Sequence, residues 1–153
     1  MCTTRQSYML DTTEFNRLLD GKISAASFVG LRLLVTGIQE GELRATKDCK
    51  RREDLLGVFK RIDPKLVAAA SFAFDVEGAG FGQAYWNDGS GTVERMLQRL
   101  RELDARSKDP LNQLRDILIA ETAIKSNAIL ISYDCNLRQV ISEFGGQSIA
   151  QLP

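Results

Sequence analysis

Four acidic residues fall where a parallel α/β sheet would gather them. Asp11 directly follows the apolar run Tyr8-Met9-Leu10, and Asp134 lies two residues beyond Ile129-Leu130-Ile131-Ser132. Glu42 sits in a helix entered from a second apolar run, Leu31-Arg32-Leu33-Leu34-Val35, and Asp116 in the helix preceding the third. Ligand sites in such sheets form outside the carboxyl ends of the strands. Asp11 and Asp134 would land on that edge, and the other two can reach it from their helices. An oxygen-only donor set suits hard cations such as Mg2+ or Mn2+. Such ions activate water and offset the charge of an in-line phosphoryl displacement, sometimes as a pair ~3.5–4 Å apart.

Each acid also has a plainer explanation. Asp11-Thr12-Thr13-Glu14 has the form of a capping box, with Asp at the N-cap and Glu three residues on. Asp134 could cap the helix that begins near Asn136 in the same way. Glu42 and Asp116, taken singly, read as solvated helix residues.

Composition narrows the chemistry further. The chain of 153 residues contains no histidine, which excludes histidine-based triads, histidine-ligated zinc and histidine phosphotransfer. Acid–base or metal chemistry then falls to Asp and Glu, with Lys, Tyr or Cys as outside candidates. Twenty basic residues balance twenty acidic ones, so no broad positive field marks a nucleic-acid partner. Cys2, Cys49 and Cys135 form no CxxC pair, which argues against a zinc knuckle or a disulfide framework and for reduced thiols in a cytoplasm. No apolar run approaches the ~18 residues of a membrane span, and Met1 to Tyr8 lacks a signal-peptide apolar region.

The positioning elements follow from periodicity and punctuation. Strands are expected at Tyr8–Leu10, Leu31–Val35, Ile129–Ser132 and around Ile149, with a possible one at Ser71–Phe74. Helices are expected over Thr12–Leu19, from Thr36 through Leu43 to about Lys47, and over Arg51–Arg61. Further helices are expected over Thr92–Arg106, Leu111–Ser126 and Asn136–Phe144. Thr36 and Gln39 have the spacing of a capping box, Pro64 breaks a pattern, and Asn127 and Gly145-Gly146 end helices. Strands alternating with helices imply a three-layer α/β/α domain with a short, mainly parallel central sheet, one domain over residues 1–153.

These segments resemble the motifs of PIN domains. Met9-Leu10-Asp11-Thr12-Thr13 is similar to the opening strand motif, an apolar pair followed by Asp-Thr-Asn, with Thr13 where Asn is common. Thr36-Gly37-Ile38-Gln39-Glu40-Gly41-Glu42-Leu43 resembles the second motif, in which Thr or Ser precedes a helix carrying a Glu. Arg115-Asp116-Ile117-Leu118-Ile119-Ala120-Glu121-Thr122-Ala123 resembles the third. Ile129-Leu130-Ile131-Ser132-Tyr133-Asp134 resembles the fourth, with Ser132 in a place often held by Thr and Asn136 where many members carry a further Asp. The resemblance spans nearly the whole chain, in order.

The resemblance implies a Mg2+- or Mn2+-dependent endoribonuclease that leaves 5′-phosphate and 3′-hydroxyl ends. Asp11, Glu42, Asp116 and Asp134 would be both metal ligands and catalytic acids. Thr12, Thr13, Thr36, Ser132 and Asn136 would support them by hydrogen bonding. Many small members of that family are toxins held by an antitoxin, so an antitoxin protein is an expected partner beside RNA, and a homodimer the expected assembly. A PIN-like module that binds RNA or protein without cutting is the alternative from another class. A phosphatase of the haloacid-dehalogenase type would require a second Asp where Thr13 stands.

Other features read more simply. Gly78-Ala79-Gly80-Phe81-Gly82-Gln83 misses the GxGxxG pattern and reads as a flexible loop. Tyr85 and Trp86 either pack in a core or line an RNA path. Lys47, Lys50, Arg51 and Arg52 could contact phosphate, but a solvated helix face explains them slightly better. Cys135 reads as a small packed residue. Apolar residues on the Arg51–Arg61 helix, with Val67, Phe72 and Phe74, exceed what a small core needs and suggest the dimer contact.

Overall fold

In the computed structural model, residues 5–71, 73, 75–80, 84, 89–104 and 108–153 are described. β1 (Ser7–Leu10) lies at the centre of a five-stranded parallel sheet and pairs with β2 (Arg32–Val35) on one side and β4 (Ala128–Ile131) on the other. β3 (Lys65–Leu66) and β5 (Gln147–Ile149) form the edges, giving the order β3-β2-β1-β4-β5. The chain builds outward from β1 through β2 to β3, then crosses back to place β4 on β1's other side. This reversal puts a topological switch point between β1 and β4, where parallel sheets open their clefts.

Strand alternation sorts the core into two halves. Met9, Leu34, Ala128 and Leu130 face one layer, where they pack with α4 (Thr92–Leu103), α5 (Pro110–Lys125) and α6 (Cys135–Glu143) through Met96, Ile117, Leu118 and Val140. Leu10, Leu33, Val35 and Ile131 face the other, against Phe15 of α1 (Thr12–Leu19) and Leu55 and Val58 of α3 (Cys49–Ile62). α2 (Gly37–Arg44) serves both, with Ile38 in the first half and Leu43 in the second. The three-layer α/β architecture that the motifs imply is therefore present, and every strand pairing in the sheet is parallel.

Differences from the sequence reading are local. The 3-10 turn Ala25–Phe28 and the two-residue β3 were not expected, since neither is long enough to show a period. α2 stops at Arg44 rather than near Lys47, and α3 begins at Cys49 because Asp48 caps it, its Oδ1 accepting from Arg51 N–H at 2.7 Å. α4 ends at Leu103, short of Arg106, and residues 105–107 lie outside the described residues. The possible strand at 71–74 lies partly outside them as well: Ser71 and Ala73 are not in a strand, and Phe72 and Phe74 are not described. Asn127 ends α5 as expected and adopts φ 51°, which asparagine tolerates better than most residues.

The apolar members of α3 are used within the chain. Leu55 and Val58 are buried, and Leu56 and Phe59 pack on the same cluster, with the Phe59 and Phe15 rings 5.4 Å apart. The apolar surplus that suggested a dimer contact is thus not on this helix. Among the described residues, no helix is long and apolar enough to cross a membrane.

Candidate metal centre

Asp11 stands at the N-cap of α1 with extended backbone, yet its side chain makes no capping bond. Instead Oδ2 accepts from Ser132 Oγ at 2.7 Å and from Thr13 Oγ1 at 3.4 Å, while the Asp11 N–H donates to Ile131 O at 3.1 Å. The side chain is thereby fixed between the ends of β1 and β4. Only 4% of Asp11 is exposed. Burial pushes its carboxyl above the usual range, more than the Ser132 and Thr13 hydrogen bonds lower it. Capping does not explain this residue.

Asp134 behaves in the opposite way. Its Oδ1 accepts from the N–H groups of Asn136 (2.9 Å) and Leu137 (3.2 Å), a regular N-cap for α6. Its Oδ2 lies 3.2 Å from Lys108 Nζ. Both oxygens have partners within the chain, so the capping alternative raised by the sequence is realised here. Lys108 also contacts Asp104 Oδ1 at 3.2 Å, and Asp104 accepts from Asn136 Nδ2 (2.7 Å) and Gln113 Nε2 (3.0 Å). Burial raises the Asp104 carboxyl, but these donors outweigh it and hold it below the ordinary value. The expected support from Asn136 reaches Asp134 through its backbone N–H, and its side chain serves Asp104.

Glu42 is carried by α2, whose start is fixed by the capping box. Thr36 Oγ1 accepts from Ile38 N–H at 3.1 Å, and Gln39 Oε1 accepts from Thr36 N–H at 2.9 Å. Gln39 Nε2 then donates to Leu10 O at 2.9 Å, which ties this helix to the end of β1 beside Asp11. Thr36 thus acts by placing the helix. Thr12 Oγ1 donates to Glu42 Oε2, linking the acid to the residue after Asp11. Burial raises the Glu42 carboxyl, and Asp11 adds to the rise.

Asp116 projects from α5, whose start is set by Asp109, with Oδ1 accepting from Leu111 N–H at 2.9 Å, and by Pro110 in the first turn. Its carboxyl is pushed up to about 8 by burial first, then by the charges of Asp11, Glu42 and Asp134. Like charges close enough to titrate together in this way share one electrostatic site.

Asp11, Glu42 and Asp116 line a single cleft of about 420 Å3, together with Thr12, Thr13 and Asn16 of α1. Asp134 is not in its wall and reaches the site through charge. Three further lining residues were not foreseen from the sequence: Glu77, Asn112 and Arg115. Arg115 lowers the Glu42 carboxyl slightly by its charge. Asn112 could have been inferred from its helical spacing, one turn before Asp116, whereas Arg115, next to it in sequence, could not, because adjacent helix residues point apart. Glu77 left no such signal. It arrives because Gly78, at φ 92°, lies so close to α2 that a Cβ there would sit 2.1 Å from the Gly37 carbonyl carbon.

The donor chemistry fits a hard divalent cation: oxygen-only, desolvated, with carboxylates that repel one another. Among the described residues no three acids or thiols stand close enough to hold one ion as placed. Aspartate and glutamate side chains carry the rotational freedom to converge, and a divalent charge is what would favour their doing so. Cys135, expected to be packed, is exposed and so is Cys49. In the basic cluster, Arg51 is engaged by Asp20 (2.9 Å) and Asn16 (2.9 Å), and Arg52 by Thr46 O (3.1 Å). Tyr85 and Trp86 lie outside the described residues.

No protein-family model matches the chain, and no curated protein does. Among solved structures it is similar to VapBC2 from Rickettsia felis, described as bound to a DNA fragment from its promoter, at 15% identity and a TM-score of 0.48, covering 94% of this chain and 98% of that one. It is also similar to FitAcB from Neisseria gonorrhoeae, at 12% identity and a TM-score of 0.41, covering 93% of this chain and 96% of the other. The roles of individual residues therefore rest on this chain's own motifs and geometry.

Proposed function

We propose that the chain is a divalent-metal-dependent endoribonuclease, with Asp11, Glu42 and Asp116 holding Mg2+ or Mn2+ and Asp134 completing the acidic set. The observation that carries the reading is Asp11, a buried carboxylate at a helix start that declines the cap and is held toward two other acids. A bound ion would supply activated water and stabilise the charge of the displaced phosphoryl oxygens. Ser132 and Thr13 orient Asp11, and Thr12 orients Glu42. Arg115, in the wall of the same cleft, is suited to a substrate phosphate, since guanidinium groups bind phosphate through charge-assisted bonds. Lys108 offsets the Asp134 charge without entering the cleft wall.

A fluorescent single-stranded RNA tests this directly. Cleavage should require Mn2+ or Mg2+ and leave 5′-phosphate ends. Asp116→Asn and Glu42→Gln should each lower the rate by more than the roughly 10–100-fold that follows loss of a mere supporting partner. Unchanged cleavage in both variants would remove the assignment. Under the same motif resemblance, an antitoxin protein is the proposed partner, testable by whether expression of this chain alone arrests growth.

One observation favours a second reading, a module that binds RNA or protein without cutting. Asp134 is committed to its cap and to Lys108, and the acids are not convergent as placed. RNA binding with no metal-dependent cleavage would select that reading.

A further inference from the structure

Tyr133 lies between two residues of the acidic site, Ser132 and Asp134. It is 63% exposed, one of three large apolar side chains left in solvent among the described residues. One face of its ring is covered: the Arg17 guanidinium lies 4.2 Å from the ring centroid, within cation–π range. Arg17 is itself built into the fold, with its side chain only 16% exposed and Nη1 3.6 Å from Oε1 of the fully buried Glu14. Among the described residues, neither Glu14 oxygen nor Arg17 Nη1 has a hydrogen-bond partner.

A buried ion pair of this kind is weak evidence for stability, because its desolvation offsets the attraction. A tyrosine on an ordinary surface needs no such foundation. Carboxylate, guanidinium and ring follow one another from the interior to the solvent, and the outcome is a ring held in place on the residue between Ser132, which bonds Asp11, and Asp134. Side-chain freedom lost during folding need not be lost again when a ligand binds.

We propose that the solvent-facing side of Tyr133 is a stacking platform for one unpaired nucleobase of a single-stranded RNA whose backbone lies at the acidic cleft. The proposal rests on the ribonuclease reading for its substrate class. Aromatic rings stack on bases of any identity, so the platform would fix strand position without reading sequence. Arg17 and Glu14 are positioning residues for the ring and touch no reacting atom. The platform also favours unpaired over duplex RNA, whose bases are already stacked.

The test uses the full chain as wild type, Tyr133→Ala and Tyr133→Phe, with circular dichroism to verify folding. Binding of a fluorescent single-stranded RNA 12-mer is measured in EDTA, and cleavage kinetics in Mn2+. Tyr133→Ala should weaken binding roughly 5- to 150-fold, the range that removal of one base–aromatic stack gives. It should raise KM more than it lowers kcat, and Tyr133→Phe should match wild type. A series of 12-mers, each with one abasic nucleotide, should contain one position at which wild type and Tyr133→Ala bind equally. Equal binding of the intact 12-mer by wild type and Tyr133→Ala would overturn the platform, whether or not RNA is cut. So would a wild type that binds no single-stranded RNA. Binding that depends on Tyr133 without any cleavage would support the platform and fail the nuclease reading, so the two failures are separable.

Discussion

Asp11 and Asp134 occupy equivalent places, each just beyond a strand and just before a helix, and use them differently. A carboxylate that satisfies two orphan N–H groups, as Asp134 does, stabilises its helix by about 0.5–2 kcal/mol. Asp11 forgoes that gain and is buried beside other acids. Asp11→Asn should therefore raise the stability of the metal-free protein by about 0.5–2 kcal/mol, the usual size of a single-residue effect, by relieving like-charge repulsion. The wild type should melt higher in Mn2+ than in EDTA, since an ion bound only to the folded state stabilises it, and Asp11→Asn should lose most of that shift. Full retention of the shift and of RNA cleavage would sink the role. Glu14 offers a second residue-scale measurement. Burial, partly offset by Arg17, raises its carboxyl to about 7 from 4.5. Below about pH 4.5 both folded and unfolded states hold the proton. Between about 4.5 and 7 only the folded state does, so stability falls as pH rises, and above 7 the loss is complete. Glu14→Gln should flatten that decline, by about 3 kcal/mol for a difference of about 2.5 pKa units, in melts recorded from pH 4 to 8. A parallel pH dependence in both proteins would show that Glu14 is not its source. The sequence singled out Asp11 by its place after an apolar run but passed over Glu14. Glu14 looked like the far end of a capping box, yet in the fold it is fully buried, beside a pocket it lines with Phe28 and Leu152.

The helices and long strands were legible because each buries one face at its own period, and their ends carry local chemistry. Thr36 with Gln39, Pro110 and Asn127 mark boundaries in the chain that recur in the fold. Elements governed by distant contacts were not legible. β3 has two exposed residues and exists because β2 offers it an edge, with Leu34 paired to Lys65 and Val35 to Leu66. The segment Val76–Gly80 read as a loop, and the sequence could not show that it lies on α2. Two glycines permit the approach. At Gly41 a Cβ would meet Glu77 Cγ at 3.3 Å, and at Gly78 it would meet Ile38 N at 2.2 Å and Gly37 C at 2.1 Å. The first neighbour is a side chain that can yield, while the second is helix backbone that cannot. Gly78→Ala also places a β-carbon at φ 92°, where L residues are strained. It should cost about 2–4 kcal/mol, as expected of overpacking added to backbone strain, and withdraw Glu77 from the cleft. Gly89→Ala is the control, with φ 77° and nothing within 4 Å of the added carbon, so it should show only the backbone strain of about 1–2 kcal/mol. Equal losses from both, measured by urea denaturation, would mean that the loop does not depend on this contact.

At the scale of the molecule, charge is balanced, and part of it is committed near the cleft. Twenty basic and twenty acidic residues leave no net field, and several basic side chains near the cleft have partners in the fold. Arg51 is held by Asp20, and Lys108 lies between Asp104 and Asp134. Guanidinium groups engaged in this way cannot contact phosphate without breaking those pairs. Arg115 in the cleft wall and the exposed Lys47 and Lys50 remain as candidates, so a single strand would meet few cations. Each neutralised phosphate of a single strand contributes about −0.7 to the slope of log K against log salt. Two to four contacts predict a slope of about −1.4 to −2.8 in the absence of metal. Affinity should then come from the metal site and from stacking, and it should fall only several-fold to some tens-fold between 50 and 200 mM salt, roughly two doublings at that slope. The measurement is fluorescence anisotropy of a single-stranded RNA across a salt series, in EDTA and again with the ion present. Adding the ion should tighten binding, because it replaces repulsion between the acids and the phosphate with attraction, while leaving the slope from monovalent salt nearly unchanged. A slope near −10, as for a large basic nucleic-acid-binding protein, would require a broad positive face elsewhere on the molecule, and would reassign the recognition surface away from the acidic cleft.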